Sequence, residues 1–166
     1  MNLQQFFSNQ GYDISEKLNW DKYINNWDSW YKGKVRKFHN YYIYNGQRKV
    51  KMEKKSLQGA KKVSEDWADL IFNEKVTIKL KNDTDTKALN KILKENNATV
   101  IINQGFEKSF ALGTGALVVS IQDMEQDEEA NIIDVTNAKI KLEFVECKKI
   151  IPLTWENGKI TECAFV

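Results

Sequence analysis

The run Phe110-Ala-Leu-Gly113-Thr-Gly115-Ala-Leu-Val-Val119 constrains this chain more than any other stretch. It reads as an apolar helix that stops at a glycine pair and passes straight into a buried strand. Loops that cradle phosphate run the other way: a strand leads into the glycines, and the positive N-terminus of a following helix faces the anion. Here the negative C-terminal end of a helix faces the loop. Gly113 and Gly115 are therefore read as a left-handed C-cap and a tight turn, a structural junction and not a phosphate site.

Around that junction the periodicity predicts an α+β fold, with N-terminal helices followed by a small, mostly antiparallel sheet with packed helices. Residues 1–19 read as an arm of weak structure. From Trp20 the spacing becomes helical: Trp20, Tyr23, Ile24, Trp27, Trp30 and Tyr31 recur at steps of three and four, and Gly33 ends the helix. That mostly aromatic face must pack in a core or against another subunit. On the core reading, Trp27→Ala costs about 3–5 kcal/mol. Lys34–Lys51 is basic and tyrosine-rich, and Asn45-Gly46 marks a loop or loose hairpin. A second helix spans about Lys55–Asn73, with Leu57, Ala60, Val63, Trp67, Leu70 and Ile71 as its apolar stripe. Val76–Leu80 alternates like a half-buried strand. Asn82 to Asp85 supplies a helix N-cap, and that helix ends at Asn96-Asn97. The next helix covers about Ala98–Leu112. Strands follow at Ala116–Ile121, Asn131–Val135, Ala138–Phe144 and Lys149–Leu153, then a hairpin at Asn157-Gly158 leads into Lys159–Val166. The organisation is thus an arm (1–19), a helical segment with a basic aromatic loop (20–74) and an α+β region (75–166). The chain stops inside its last strand, which suggests truncation.

Chemistry-bearing constellations are sparse. Cys147 and Cys163 make neither a disulfide framework nor a metal-ligand set and read as buried free thiols. His39 reads as a partly buried ring among aromatics. The acidic cluster Asp123, Glu125, Asp127, Glu128 and Glu129 lacks the alternate ligands and sixth-position glycine of a calcium loop, so it reads as a solvated turn. No catalytic, cofactor-binding or metal-ligating residue is assigned. No apolar run approaches the ~20 residues a membrane span needs. Charge is polarised: residues 1–62 hold 13 Lys/Arg against 5 Asp/Glu, and residues 63–166 hold 12 against 18. Lys34, Arg36, Lys37, Arg48, Lys49 and Lys51 are candidates to contact nucleic-acid phosphates, with nearby tyrosines stacking on bases, or to contact an acidic neighbouring subunit.

Five segments in order carry a resemblance. They are Trp27-Asp-Ser-Trp-Tyr-Lys-Gly33, Phe38-His-Asn-Tyr41, the helix Leu57 to Glu74, Phe110-Ala-Leu-Gly-Thr-Gly-Ala-Leu-Val118, and Ile150-Ile-Pro-Leu-Thr-Trp-Glu-Asn-Gly-Lys-Ile160. Over residues 20–166 the chain resembles the N-terminal, wing-like part of tailed-phage portal proteins, closest to those of siphophages and prophages of Gram-positive hosts. The resemblance implies a non-enzymatic structural subunit of a ring, usually of twelve copies, at one capsid vertex. DNA would pass through that ring, with terminase, scaffold or capsid and head-completion proteins as partners and no membrane. Its place would be the virion, and the host cytoplasm during assembly. Stem, clip and crown would lie beyond Val166. The alternative is a small basic nucleic-acid-binding module centred on Lys32–Lys55.

Overall fold

The computed structural model describes residues 2–73, 75–126, 132–134 and 137–166. The fold is α+β. Helices α1 (Leu3–Asn9), α2 (Ser15–Tyr31) and the short α3 (Arg36–His39) precede a hairpin of β1 (Asn40–Tyr44) and β2 (Lys49–Glu53). Then come α4 (Gly59–Ile71), α5 (Asp83–Glu95) and α6 (Ala98–Leu112). Strands β3 (Gly115–Gln122), β4 (Glu125–Gln126), β5 (Ile132–Asp134), β6 (Lys139–Glu146), β7 (Ile150–Glu156) and β8 (Lys159–Phe165) complete the chain, with a 3-10 turn, Cys147–Lys149, between β6 and β7. All pairings among the described residues are antiparallel and two-stranded: β1–β2, β3–β6, β4–β5 and β7–β8.

The helix–glycine–strand junction forms where expected. Gly113, at φ +91°, donates its N–H to the Ser109 carbonyl at 2.8 Å and caps α6. Gly115 corrects the tight-turn expectation: it is the first residue of β3, and its role is space. A Cβ there would run into the Phe144 ring and into Ser109 Oγ. Gly105, in the middle of α6, faces the same ring, and a Cβ there would lie 2.8 Å from Phe144 Cδ2. The two glycines thus let α6 sit close on the β3–β6 ladder with one phenylalanine wedged between. The strand itself is not buried as expected, since Leu117, Val119 and Ile121 are exposed on its open face.

The opening residues are also more ordered than expected. Phe7 of α1 and Ile14 pack on Ile151 of β7, with Leu153 and Ala164 alongside. An amphipathic turn of helix forms because this small core gives its apolar side something to bury against.

Residues 76–80, expected as a strand, pair with no strand among the described residues. The Leu80 N–H is satisfied instead by Thr86 Oγ1 at 3.0 Å. Alternation alone does not supply a ladder partner. Strand β6 gains side-chain partners on its free edge. Asn96 accepts from the Leu142 N–H and donates to the Ile140 carbonyl, both at 2.9 Å, so α5 is stitched to the sheet. Asn103 of α6 similarly donates to Asp69 Oδ1 and to the Phe72 carbonyl, holding the end of α4. Helix α4 turns its small residues Ser64 and Ala68 inward and leaves Val63, Trp67 and Leu70 exposed.

Candidate functional site

Helix α2 carries two stripes. The inward one runs Lys17, Asp21, Ile24, Asp28 and Tyr31, at steps of four and three, with Lys17, Ile24 and Tyr31 buried and the two aspartates partly exposed between them. Lys17, only 6 % exposed, pairs with Asp21 at 2.8 Å and donates to the Cys147 carbonyl at 3.1 Å. Ile24 packs with Leu112 and Cys147. Asp28 accepts from Lys148 at 2.6 Å and from Lys32 at 2.7 Å. Tyr31 Oη donates to Glu107 of α6. The helix is therefore clamped onto the 3-10 turn at one end and onto α6 at the other. Burial pushes the Asp28 carboxyl up, but the hydrogen bonds from Lys148 and Lys32 outweigh it and hold the carboxyl below its ordinary value. Burial, then the bond to Glu107, drives the Tyr31 hydroxyl well above its ordinary pKa. Burial also raises the Cys147 thiol.

Of the candidate aromatics, Tyr31 lies on this inward stripe. Trp20, Tyr23, Trp27 and Trp30 lie on another, roughly 100° round the helix, which is one residue's rotation. They are 44 %, 62 %, 45 % and 43 % exposed. Their rings form an open aromatic belt. Trp20 meets Trp155 edge-on at 5.6 Å, Trp27 covers Gly113, and Trp30 meets Phe38 at 5.4 Å. Between them lies a groove of about 310 Å³ lined by Trp20, Tyr23, Trp27, Leu112 and Gly113. Trp67 of α4 stacks on Phe110 and is itself half exposed. All five tryptophans of the chain are exposed. The polar anchors Lys17, Asp21 and Asp28 escaped the sequence reading, because hydrophobic periodicity does not count an inward-facing lysine or aspartate. Their four-three spacing was the only signal.

The basic candidates Lys34, Arg36, Lys37, Arg48, Lys49 and Lys51 are all exposed. The β1–β2 register sorts the hairpin into two faces. Tyr42 pairs with Lys51 and Tyr44 with Lys49 on one face, while Tyr41, Ile43, Val50 and Met52 share the other. The hairpin is regular, closed by Asn45 Oδ1 accepting the Gln47 and Arg48 N–H groups, and only Gly46 of the turn takes a positive φ. Lys34, Arg36 and Lys37 sit before or within α3, so they are not on the Tyr–Lys face.

His39 is buried, with Nδ1 2.8 Å from the Val35 carbonyl. Cys147 is buried as expected, whereas Cys163 is exposed on β8, which corrects that reading. Asp123 pairs with Lys139 at 3.3 Å. Asp127, Glu128 and Glu129 of the acidic cluster lie outside the described residues, and so does the side chain of Glu125. Among the described residues no group of three or more His, Cys, Asp or Glu is placed to hold a metal ion, and no helix is long and apolar enough to cross a membrane.

A chain whose polar anchors are satisfied internally while its aromatic rings face outward has the build of an assembly subunit. The family model of the phage portal proteins, SPP1 Gp6-like, matches residues 13–166, and the chain belongs to that family. The family is structural and belongs to the virion and to DNA packaging. Comparison with curated proteins and with solved structures gives no match.

Proposed function

We propose that this chain is a subunit of the ring, usually of twelve copies, that forms the portal vertex through which phage DNA is packaged and ejected. In this reading residues 75–166 belong to the wing-like part of the subunit. The partners are further copies of the chain, terminase, scaffold or capsid and head-completion proteins. Assembly takes place in the host cytoplasm, and the role is structural and not enzymatic.

Beside family membership, one observation supports the reading most: the uncovered surface. The accessible area is 13040 Å². A compact monomer of 19.3 kDa exposes about 8,500 Å². The excess is on the scale of an obligate interface, which buries about 2,000–5,000 Å². The occupant argued for the belt of Trp20, Tyr23, Trp27 and Trp30 is a neighbouring copy, because a ring subunit needs a contact on each side. Immunogold labelling of virions with antibody raised against this chain is expected to mark one site per particle, at the head–tail junction. Label spread over the capsid, or confined to the tail tip, refutes the assignment.

A further inference from the structure

We propose that the β1–β2 hairpin is a nucleic-acid contact, with Lys49, Lys51, Tyr42 and Tyr44 of one face meeting the phosphodiester backbone and its bases. The inference rests on the hairpin alone and stands or falls separately from the ring reading.

The first observation is uncompensated charge. Between positions 34 and 55 there are eight Lys or Arg and one acidic residue, Glu53. Every one of the eight is exposed, and among the described residues none has an ion-pair partner. Elsewhere the fold pairs its lysines readily, as at Lys17, Lys32, Lys61, Lys62 and Lys148. A dense cluster of unpaired cations repels itself and is relieved by a polyanion, whose condensed counterions are released on contact.

The second observation is the register. Strand pairing sets Tyr42 beside Lys51 and Tyr44 beside Lys49, about 4.5–5.5 Å apart across the ladder. The two rings are 67 % and 68 % exposed, and successive same-face residues are spaced about 6.8 Å along the strand. Ammonium groups and flat rings thus share one surface, the pairing that single strands use for phosphate and base together, with Glu53, opposite Asn40, as the one carboxylate at its end. The opposite face carries Tyr41, Ile43, Val50 and Met52, and Lys54 there lies over Phe38 and Tyr41 at 5.0 and 5.8 Å. That face leads back to the aromatic belt through the Phe38–Trp30 contact. The hairpin therefore has an apolar side, with Tyr41, Ile43 and Met52 39 %, 44 % and 37 % exposed, and a basic side whose tyrosines are more exposed still, and the basic side carries the proposed contact.

The test is fluorescence anisotropy with a dT20 oligonucleotide and a 20-base-pair duplex from 50 to 200 mM salt. Lys49→Ala/Lys51→Ala is expected to weaken both probes and to lower the slope of log affinity against log salt by about 0.7 per lost contact for dT20 and about 0.9 for duplex. Tyr42→Ala is expected to weaken dT20 by roughly fivefold or more while leaving the duplex unchanged. All these side chains are exposed, and unaltered thermal melts check that the variants fold. Absence of salt-dependent binding at 50 mM overturns the proposal, as does a double variant that binds like the parent. Competition by polyglutamate as strong as by DNA overturns it in favour of an acidic protein partner.

Discussion

Phe144 and its two glycines give the sharpest test of how the helical layer is held on the sheet. Gly115→Ala would place a methyl group against the Phe144 ring and Ser109 Oγ. Neither neighbour can retreat easily, because Phe144 sits in β6, paired with Leu117 of β3, and Ser109 sits in α6. Overpacking of this kind costs about 1–3 kcal/mol, which for a chain of this length lowers Tm by roughly 4–8 °C at 2 kcal/mol. Gly105→Ala carries opposing effects. Alanine gains up to about 1 kcal/mol in a helix interior, while its Cβ, 2.8 Å from Phe144 Cδ2, incurs a clash of about 1–3 kcal/mol. The net expectation is a loss of about 1 kcal/mol. Removing the ring reverses the sign. In a Phe144→Ala background, Gly105→Ala should stabilise by up to about 1 kcal/mol, so the double-mutant cycle shows a coupling of about 1–3 kcal/mol. Urea melts followed by circular dichroism measure all four corners. Gly115→Ala within about 0.5 kcal/mol of the parent, or a coupling near zero between Gly105→Ala and Phe144→Ala, would refute the idea that these glycines exist to seat Phe144.

Trp27→Ala should destabilise the isolated chain by only about 2 kcal/mol, because nearly half of the ring is already in water, and it should weaken self-association measured by sedimentation. Asp28→Asn should cost about 1.5–3 kcal/mol at neutral pH, since Lys148 and Lys32 lose a charged acceptor. Because the folded Asp28 pKa is depressed, its contribution is present above the ordinary value of 3.8 and is lost as pH falls through the folded value, so urea melts of parent and variant should converge in acid. Tyr31 behaves oppositely: its hydroxyl keeps its proton in the folded chain beyond the ordinary 10.0, so stability should fall as pH rises above about 10, and Tyr31→Phe should remove that alkaline loss in thermal melts.

Local chemistry made much of the fold legible. Helix α6 runs from Ala98 to Leu112, as its composition and flanking asparagine and glycine indicated. Asn82 accepts the Thr84 N–H at the start of α5, and Asn157-Gly158 turns with positive φ at both residues. These features depend on a few neighbouring residues, which is why they can be read without a partner. The turn at Asn45-Gly46 belongs to the same class, whereas the regular strands beside it and their two faces, expected only as a loop or loose hairpin, came with the structure.

What only the tertiary structure decided is which side of each element is covered. On α2 the expected face splits: its members Ile24 and Tyr31 are buried, on a stripe shared with Lys17 and Asp28, while Trp20, Tyr23, Trp27 and Trp30 stay exposed. The partners of that stripe, the Cys147 carbonyl and Lys148, lie 130 and 120 residues away in sequence. On α4 the apolar stripe faces out, because Ser64 and Ala68 permit the close approach to α6 that larger residues would block. Gly115 looked like a turn residue and is instead a gap for Phe144, a ring on another strand. Periodicity states that a helix has an apolar side. The residues that come to lie against it, through polar satisfaction and available space, decide which side is buried.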